Sequence, residues 1–312
     1  MKQYLVTGGA GFIGSHLVTA LVARGDRVRV LDDLCTGRRQ NLEPVKDKIE
    51  FIQADVNDTP ALAKAVAGCE VVFHEAALAS VPRSIDDPLA SHAACATGTL
   101  NVLDQARRAG VRRVVYAASS SAYGNQPTPR KSERDLPSCL SPYAAAKLAG
   151  ELYLQAFWHS YGLETVALRY FNVFGPRQDP NGPYAAVIPL FIKAILNGTR
   201  PTIFGDGKQT RDFAYVENVV QANLLAADAE EAAGLVINVG TGETTSLLDL
   251  LKALNSICGT NVEPILAPER AGDVRDSLAE IALARKVLKY DPKVDLKTGL
   301  RPTVEYYRHA GF

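Results

Sequence analysis

Thr7-Gly8-Gly9-Ala10-Gly11-Phe12-Ile13-Gly14 stands directly after the apolar run Tyr4-Leu5-Val6. Directly after it, Phe12, Ile13, Leu17, Leu21 and Val22 recur at helical spacing as far as Arg24. A strand, a glycine-rich turn and a helix in that order form a cradle for a dinucleotide. Gly8 permits the tight turn. Gly11 lets the backbone approach a pyrophosphate with no Cβ in the way, and Gly14 lets helix and strand pack closely. The helix start offers free N–H groups and the positive end of its dipole to the phosphates. Three glycines alone are weak, because many loops contain them. Here a second strand-like run, Val28-Arg-Val-Leu31, ends in Asp32, where a carboxylate would hold the adenosine ribose diol. That carboxylate would repel a 2′-phosphate, which favours NAD, although Arg38 and Arg39 stand close enough to keep NADP open.

The rest of the first half alternates strand and helix. Strands are expected at 4–7, 28–32, 49–53, 71–74, 114–118 and 165–170, with helices at about 12–24, 60–67, 89–109 and 142–161. Such alternation predicts an α/β fold, a doubly wound parallel (Rossmann) sheet with its ligand outside the carboxyl ends of the strands. Gly8, Asp32, Asp55, Ala76 and Ser119 each follow a strand, as that rule asks. After residue 171 the texture changes. Gly175-Pro176, Asp179-Pro-Asn-Gly-Pro183 and Gly205-Asp-Gly207 punctuate shorter segments, which predicts a smaller C-terminal substrate domain. The expected division is 1–171, joined by parts of 214–240, and a discontinuous 172–312. The alanine- and acid-rich run 226–233 is expected as an exposed helix end.

Composition narrows the classes. The chain has 312 residues, enough for a large core, and 34 acidic residues balance 34 Lys plus Arg. No basic field therefore points to nucleic acid or an anionic membrane. No apolar run reaches the roughly 18 residues that span a bilayer. With strand and motif at its start, the chain is expected to have no signal peptide. Cys35, Cys69, Cys95, Cys139 and Cys258 are odd in number and widely spaced, with no metal-ligand pattern. They are expected as reduced thiols in the cytoplasm, and no metal is expected.

Tyr143-Ala-Ala-Ala-Lys147 carries the chemistry, with the serine run Ser119-Ser120-Ser121 ending a strand upstream. A phenol has a pKa near 10 and is a poor base at neutral pH. A lysine one helical turn on lies on the same face. Its charge, with an oxidised nicotinamide nearby, would favour the phenolate. Pro142 suits the first helical position and Ser141 the cap, which sets Tyr143 at the helix mouth. A serine hydroxyl would orient the substrate hydroxyl. An ordinary surface Tyr–Lys pair has the same spacing, so the pair gains its meaning from the dinucleotide turn.

On these residues the chain resembles the extended short-chain dehydrogenase/reductases, and within them the NAD-dependent nucleotide-sugar 4-epimerases. The likeness runs essentially end to end. It is carried by Thr7–Gly14, Asp55-Val56, His74-Glu-Ala-Ala77, Tyr143–Lys147, Leu168-Arg-Tyr-Phe-Asn-Val173 and Arg211-Asp-Phe-Ala-Tyr215. It implies that Phe12, Ile13, Asp33, Thr36, Gly37 and Phe171 meet the cofactor. Asp55 and Val56 would meet adenine, and Ala76 and Ala77 the pyrophosphate side. Ser119, four places before Tyr123-Gly124, would join Tyr143 and Lys147 in catalysis. Ser80 and Ser121 would approach the sugar. Cys95 departs from the asparagine that many relatives place near the cofactor, which puts that contact in doubt.

The resemblance also implies a UDP-sugar site. Asn172 and Arg211 would meet the diphosphate together with Arg270. Tyr184-Ala-Ala186-Val187 would line the uridine pocket, and Asp273 would hold its ribose. Arginine forks suit phosphate oxygens, though Asp212 could instead neutralise Arg211 locally. The segments Ala76–Ser84 and Arg177–Val187 resemble most the 4-epimerases of UDP-N-acetylhexosamines. Four places after Asp273, where a tyrosine tends to exclude an acetamido group, stands Ser277; it is small, or else merely a polar strand residue. The implied reaction oxidises the sugar C4, turns the 4-keto sugar over and reduces its other face, with UDP-glucose as a possible further substrate. UDP-glucuronate 4-epimerisation is the rival enzyme reading. A 4,6-dehydratase would need an acid/base carboxylate pair where Ser120 and Ser121 stand. A non-catalytic NAD-binding scaffold would not need both Tyr143 and Lys147. Helices 89–109 and 142–161 carry apolar residues enough for a homodimer.

Overall fold

The computed structural model describes residues 2–181, 185–269 and 274–310. Seven parallel strands form one sheet, in the spatial order Leu235–Val239, Glu164–Tyr170, Arg113–Ser119, Val71–His74, Gln3–Thr7, Arg27–Asp32 and Ile49–Gln53. The strands are near-continuous apolar runs because both faces are covered. Tyr4 and Val6 belong to one buried layer with Leu17, Leu21, Val219 and Ala222, while Leu5 between them belongs to the other with Leu62, Val102, Leu103 and Leu154. Strand alternation thus splits three consecutive residues between two helix layers. The chain order reverses between Gln3–Thr7 and Val71–His74, and the crevice at that switch point is where such a sheet takes its ligand.

The six expected strands form, each within a residue of its expected bounds at either end. The seventh, Leu235–Val239, pairs in parallel with Glu164–Tyr170. Helix Pro142–Tyr161 has the expected ends. Ser141 Oγ accepts from Ala144 N at 3.2 Å, Pro142 opens the first turn, and Gly162 closes the helix at φ +69°. The run 89–109 is not one helix. It is Pro88–His92, a wide turn over Ala93–Thr97 and Gly98–Arg108, preceded by a short helix Val81–Asp86. Side chains hold the wide turn: Thr99 Oγ1 donates to the Cys95 carbonyl at 2.6 Å, and Asn57 Nδ2 donates to the Ala93 carbonyl at 3.3 Å. The run 226–233 is also not an exposed end, because Ala226, Ala227 and Ala232 are buried and Arg113 donates to the carbonyls of Ala226 and Ala229.

The smaller region gathers helices Val187–Leu196, Leu247–Cys258 and Leu296–Ala310 on Phe174, Phe191, Phe213, Tyr215 and Leu250. A four-stranded sheet beside it runs Thr245–Ser246, Thr210–Arg211, Asp276–Ala279, Arg130–Lys131. The last strand comes from between the serine run and the Tyr143 helix, so that segment is tied to the smaller region.

Candidate active site

The glycine turn opens onto a cleft of about 630 Å³. Gly8 sits at φ +67°, and a Cβ there would fall 2.6 Å from Ala76 N; a Cβ on Gly14 would meet the Gly8 carbonyl oxygen at 2.2 Å. Gly8 needs glycine for room as well as for conformation, and Gly14 for room alone. Helix Phe12–Ala23 begins at Gly11 with no side-chain cap, so its first N–H groups are left for a ligand anion. Gly8, Gly11, Phe12, Ile13, Gly14, Asp32, Asp33, Thr36, Asp55, Val56, Ala76, Ala77, Ser80, Tyr143, Lys147 and Ala186 all line this cleft. An uncapped helix start behind a glycine cradle, with a carboxylate at the next strand end, fits a dinucleotide.

Asp32 is not at an exposed strand end as expected. It is 6 % exposed, and its two oxygens accept the backbone N–H of Ala10 at 2.9 Å and of Leu34 at 2.8 Å. Burial raises its carboxyl above the ordinary aspartate range, against the pull of these two bonds. Gly37 lies behind it, since a Cβ there would come 2.7 Å from Asp32 Oδ1; it leaves room for the carboxylate and does not line the cleft. Phe171 also differs from expectation. Its ring is buried with Tyr123, Ala279 and Ile281, away from the cleft lining. After the third strand Asp55 Oδ1 accepts from Asn57 N at 2.8 Å, and Val56 is buried against Gly98.

At the other end of the cleft, Lys147 Nζ is buried and donates to the Ala117 carbonyl at 2.8 Å, 4.7 Å from the Tyr116 ring centre. Burial lowers its pKa, opposed by Cys95, Glu75 and Glu151. Ser119 Oγ accepts from Ser121 N at 3.2 Å and from Ser121 Oγ at 2.9 Å, so its own proton is free to serve the Tyr143 phenol, to which it hydrogen-bonds. Burial, then the Cys95 thiol, push the phenol well above its ordinary value, and the Ser119 bond opposes them. Positive charge brought into the cleft would favour the phenolate. Cys95 reaches this site because the wide turn Ala93–Thr97 packs on Ala146 beside Tyr143.

Sequence reasoning missed the support beneath this pair. Glu151 follows Lys147 by four residues and takes a two-pronged bond from Arg169, Nε to Oε1 at 3.0 Å and Nη2 to Oε2 at 2.7 Å. Both side chains are buried. The guanidinium stacks 4.6 Å from the Tyr123 ring centre, and Tyr123 Oη donates to Asn238 Oδ1 at 2.6 Å. Asn238 Nδ2 then donates to the carbonyls of Lys131 and Glu280. The Tyr143–Lys147–Glu151 spacing was the available signal. Glu75, Asn41 and Arg177 also line the cleft without having been given a role, and Arg38, noted for NADP, lines it with them.

The expected substrate residues gather from distant segments. Arg211 and Ser277 are partners across parallel strands, and Arg211 Nη1 donates to the carbonyls of Thr210 and Arg275. Asn172 pairs with Phe213 and donates to the Asp212 carbonyl at 3.2 Å. Asp212 has its own partners: its carboxylate accepts from Thr241 N and Oγ1, Gly242 N and Ala279 N at 2.8–3.2 Å. Ser80 caps the helix Val81–Asp86 by accepting from Arg83 N, and Val187 opens the helix Val187–Leu196. Ser121 serves Ser119 as above. Tyr184, Arg270 and Asp273 lie outside the described residues.

Among known proteins, the model of the NAD dependent epimerase/dehydratase family matches residues 4–240. A UDP-glucose 4-epimerase of Mycolicibacterium smegmatis is 44 % identical over 98 % of both chains. A UDP-N-acetylglucosamine 4-epimerase of Methanobrevibacter ruminantium, solved with UDP-N-acetylmuramic acid, is 40 % identical over 99 % of both chains with a TM-score of 0.95. A UDP-glucuronic acid 4-epimerase of Bacillus cereus, solved as a variant with a fluorinated UDP-sugar and NAD, is 31 % identical over 99 % of both chains with a TM-score of 0.92. With the glycine cradle and the Tyr143–Lys147 pair on one cleft, the chain belongs to the NAD dependent epimerase/dehydratase family, and its cofactor is NAD.

Proposed function

We propose that this NAD-dependent nucleotide-sugar 4-epimerase inverts C4 of UDP-N-acetylglucosamine and UDP-N-acetylgalactosamine through a transient 4-keto sugar, with UDP-glucose and UDP-galactose as further substrates. The observation that carries the choice of sugar is the register of Arg211 with Ser277. A diphosphate held at Arg211 sets the sugar beside a small hydroxyl side chain, which leaves room for an acetamido group. A solved relative named for UDP-N-acetylglucosamine supports the reading.

In this reading Asp32 and Asp55 hold the adenosine half, and the first turn of helix Phe12–Ala23 holds the pyrophosphate. Bound NAD supplies an acceptor for the C4 hydride and is restored within each turnover. Tyr143 takes the proton of the 4-hydroxyl as phenolate and returns it to the inverted alcohol. Ser119, fixed by Ser121, orients that hydroxyl, and Lys147 holds the nicotinamide-side ribose. Asn172 and Arg211, with Arg270, anchor the diphosphate; Ala186 and Val187 border the uridine, and Asp273 its ribose. Binding is concentrated on UDP, which leaves the sugar loose enough to turn. We take residues 1–171 with parts of 214–240 as the cofactor domain, and the enzyme as a cytoplasmic homodimer.

The test is a panel of kcat/KM on UDP-N-acetylglucosamine, UDP-glucose and UDP-glucuronate, for wild type and Ser277→Tyr. Overpacking a closed pocket costs ~1–3 kcal/mol, so the variant should lose roughly ten- to a hundredfold on the acetamido sugar at about 1.4 kcal/mol per decade. It should keep its activity on UDP-glucose. An unmoved ratio removes Ser277 as the gate, and a wild type fastest on UDP-glucuronate replaces the proposed substrate.

A further inference from the structure

Glu75 is an ionisable side chain of the cleft for which the mechanism above has no use. It follows strand Val71–His74, and its N–H donates to the Thr7 carbonyl at 3.1 Å, which fixes it beside the glycine turn. Its neighbour His74 turns to the opposite side, with Nδ1 on Thr7 Oγ1 and Nε2 on Thr99 Oγ1. Strand Arg113–Ser119 lies between Glu75 and strand Glu164–Tyr170. Ala117, which belongs to the same buried layer as Tyr170, lines the cleft there, and its small side chain leaves the passage across open. Glu75 makes that crossing: Tyr170 Oη donates to its Oε1 at 2.8 Å, and Asn223 Nδ2 on helix Val216–Asp228 donates to Tyr170 Oη at 2.7 Å. A donor chain from a neighbouring helix thus holds one carboxylate in the wall of the cofactor cleft.

We propose that Glu75 sets the balance between the oxidised and reduced cofactor at the Tyr143–Lys147 end of the cleft, its carboxylate favouring the oxidised form. The oxidised ring carries a positive charge. That charge vanishes when the C4 hydride arrives with its electron pair and the hydroxyl proton passes to Tyr143. A fixed anion attracts only the charged form, and in a partly buried site the attraction is not screened away. The end of the cleft is set by the groups that face Glu75. Lys147 from helix Pro142–Tyr161 donates to the Ala117 carbonyl on the strand that Glu75 crosses and is the cation acting on it, Tyr170 from the sheet is its donor, and Asn223 behind Tyr170 is neutral. Asp32 and Asp55 belong to the adenosine end. Favouring the oxidised form makes the return of the hydride the downhill step, which keeps the keto sugar short-lived.

Burial first, against the Tyr170 bond and Lys147, raises the Glu75 carboxyl to about 7, so its charge is present above that pH and absent below it. The proposal rests on NAD occupying this cleft. The test equilibrates the full-length protein with defined mixtures of NAD⁺ and NADH and reads the ratio bound by absorbance and fluorescence after rapid desalting. In wild type the preference for NAD⁺ should rise as pH passes upward through about 7, by about tenfold for one charge pair in a partly buried site. In Glu75→Gln, which keeps an oxygen for Tyr170, the preference should equal that of wild type at low pH and lack the rise near 7, any rise left at higher pH belonging to Tyr143. Addition of UDP-sugar should then leave a larger reduced fraction in Glu75→Gln. A wild-type ratio that ignores pH overturns the proposal, as does a Glu75→Gln ratio that follows wild type. Binding of neither form would overturn the cofactor assignment as well.

Discussion

Tyr143 is held by the Ser119 hydroxyl in a site that disfavours its ionised form until positive charge arrives. Tyr143→Phe should therefore keep the fold and NAD binding while kcat falls at least about a hundredfold, the scale of a lost general base. Near-normal turnover by this variant in an epimerisation assay would end the role. Asp32→Ala should weaken NAD retention through purification, and it should also lower Tm. It leaves the buried N–H groups of Ala10 and Leu34 without their acceptor, at about 1–3 kcal/mol for an unsatisfied group. A variant that loses NAD with an unchanged melt would mean that water replaces the carboxylate there. Glu75 adds a pH dependence whose sign is fixed. Its folded value of about 7 lies above the ordinary 4.5. The folded state thus binds more protons between these values, and stability falls as pH rises through that window. Melts of wild type and Glu75→Gln across the window should converge at its acid end and separate at its alkaline end, with wild type the lower.

At the scale of elements, helix Pro142–Tyr161 presents Tyr143, Lys147 and Glu151 along one stripe, and Arg169 on the adjoining strand grips the last of them. Removing one partner of a buried pair costs about 3–5 kcal/mol, whereas replacing both with apolar residues of similar volume is often neutral. Arg169→Met should lower Tm sharply, and Glu151→Leu with Arg169→Met should recover much of it. The double variant should still have reduced kcat, because Lys147 loses the Glu151 charge that supports its protonation. Melts and rates on the two singles and the double check this. The same helix marks how far sequence reading reaches. Ser141, Pro142 and Gly162 state its ends locally, and six strands announce themselves as apolar runs. The Glu151–Arg169 pair and the wide turn at Ala93–Thr97 were not legible in the same way. Asn57 reaches the turn and Tyr123 packs on the pair from other elements, and no local pattern records such meetings.

At the scale of the whole molecule, the cofactor cleft and the segments of the expected substrate residues differ in origin. The cofactor cleft is built from turns that each follow a strand, so Gly8, Asp32 and Asp55 could be placed from sequence by the geometry of the sheet alone. The segments 130–131, 172, 210–212 and 276–279 are joined by strand pairing and by the Asp212 carboxylate, and the family resemblance pointed to Asn172, Arg211 and Ser277 among them. The outer face predicts assembly. Leu89 is 80 % and Leu152 59 % exposed, and Pro88, Leu89, Pro142 and Ala145 line one shallow groove. If two copies pair through this face, Leu89→Asp with Leu152→Asp should halve the mass seen by sedimentation, and an unchanged mass would send the search for the interface elsewhere.

The wide turn at Ala93–Thr97 acts on both sides of the protein at once. One residue more than a regular helix needs is looped into it. Cutting that residue out would let Pro88–Arg108 run on as an uninterrupted helix. Each residue of a helix turns the chain by about 100°, so the deletion would swing Leu89 off the outer groove in the same stroke that rotates Cys95 away from Tyr143. Substitutions can alter the groove or the catalytic wall one at a time. A single-codon deletion here would unsettle them together, because one residue count sets the phase of both.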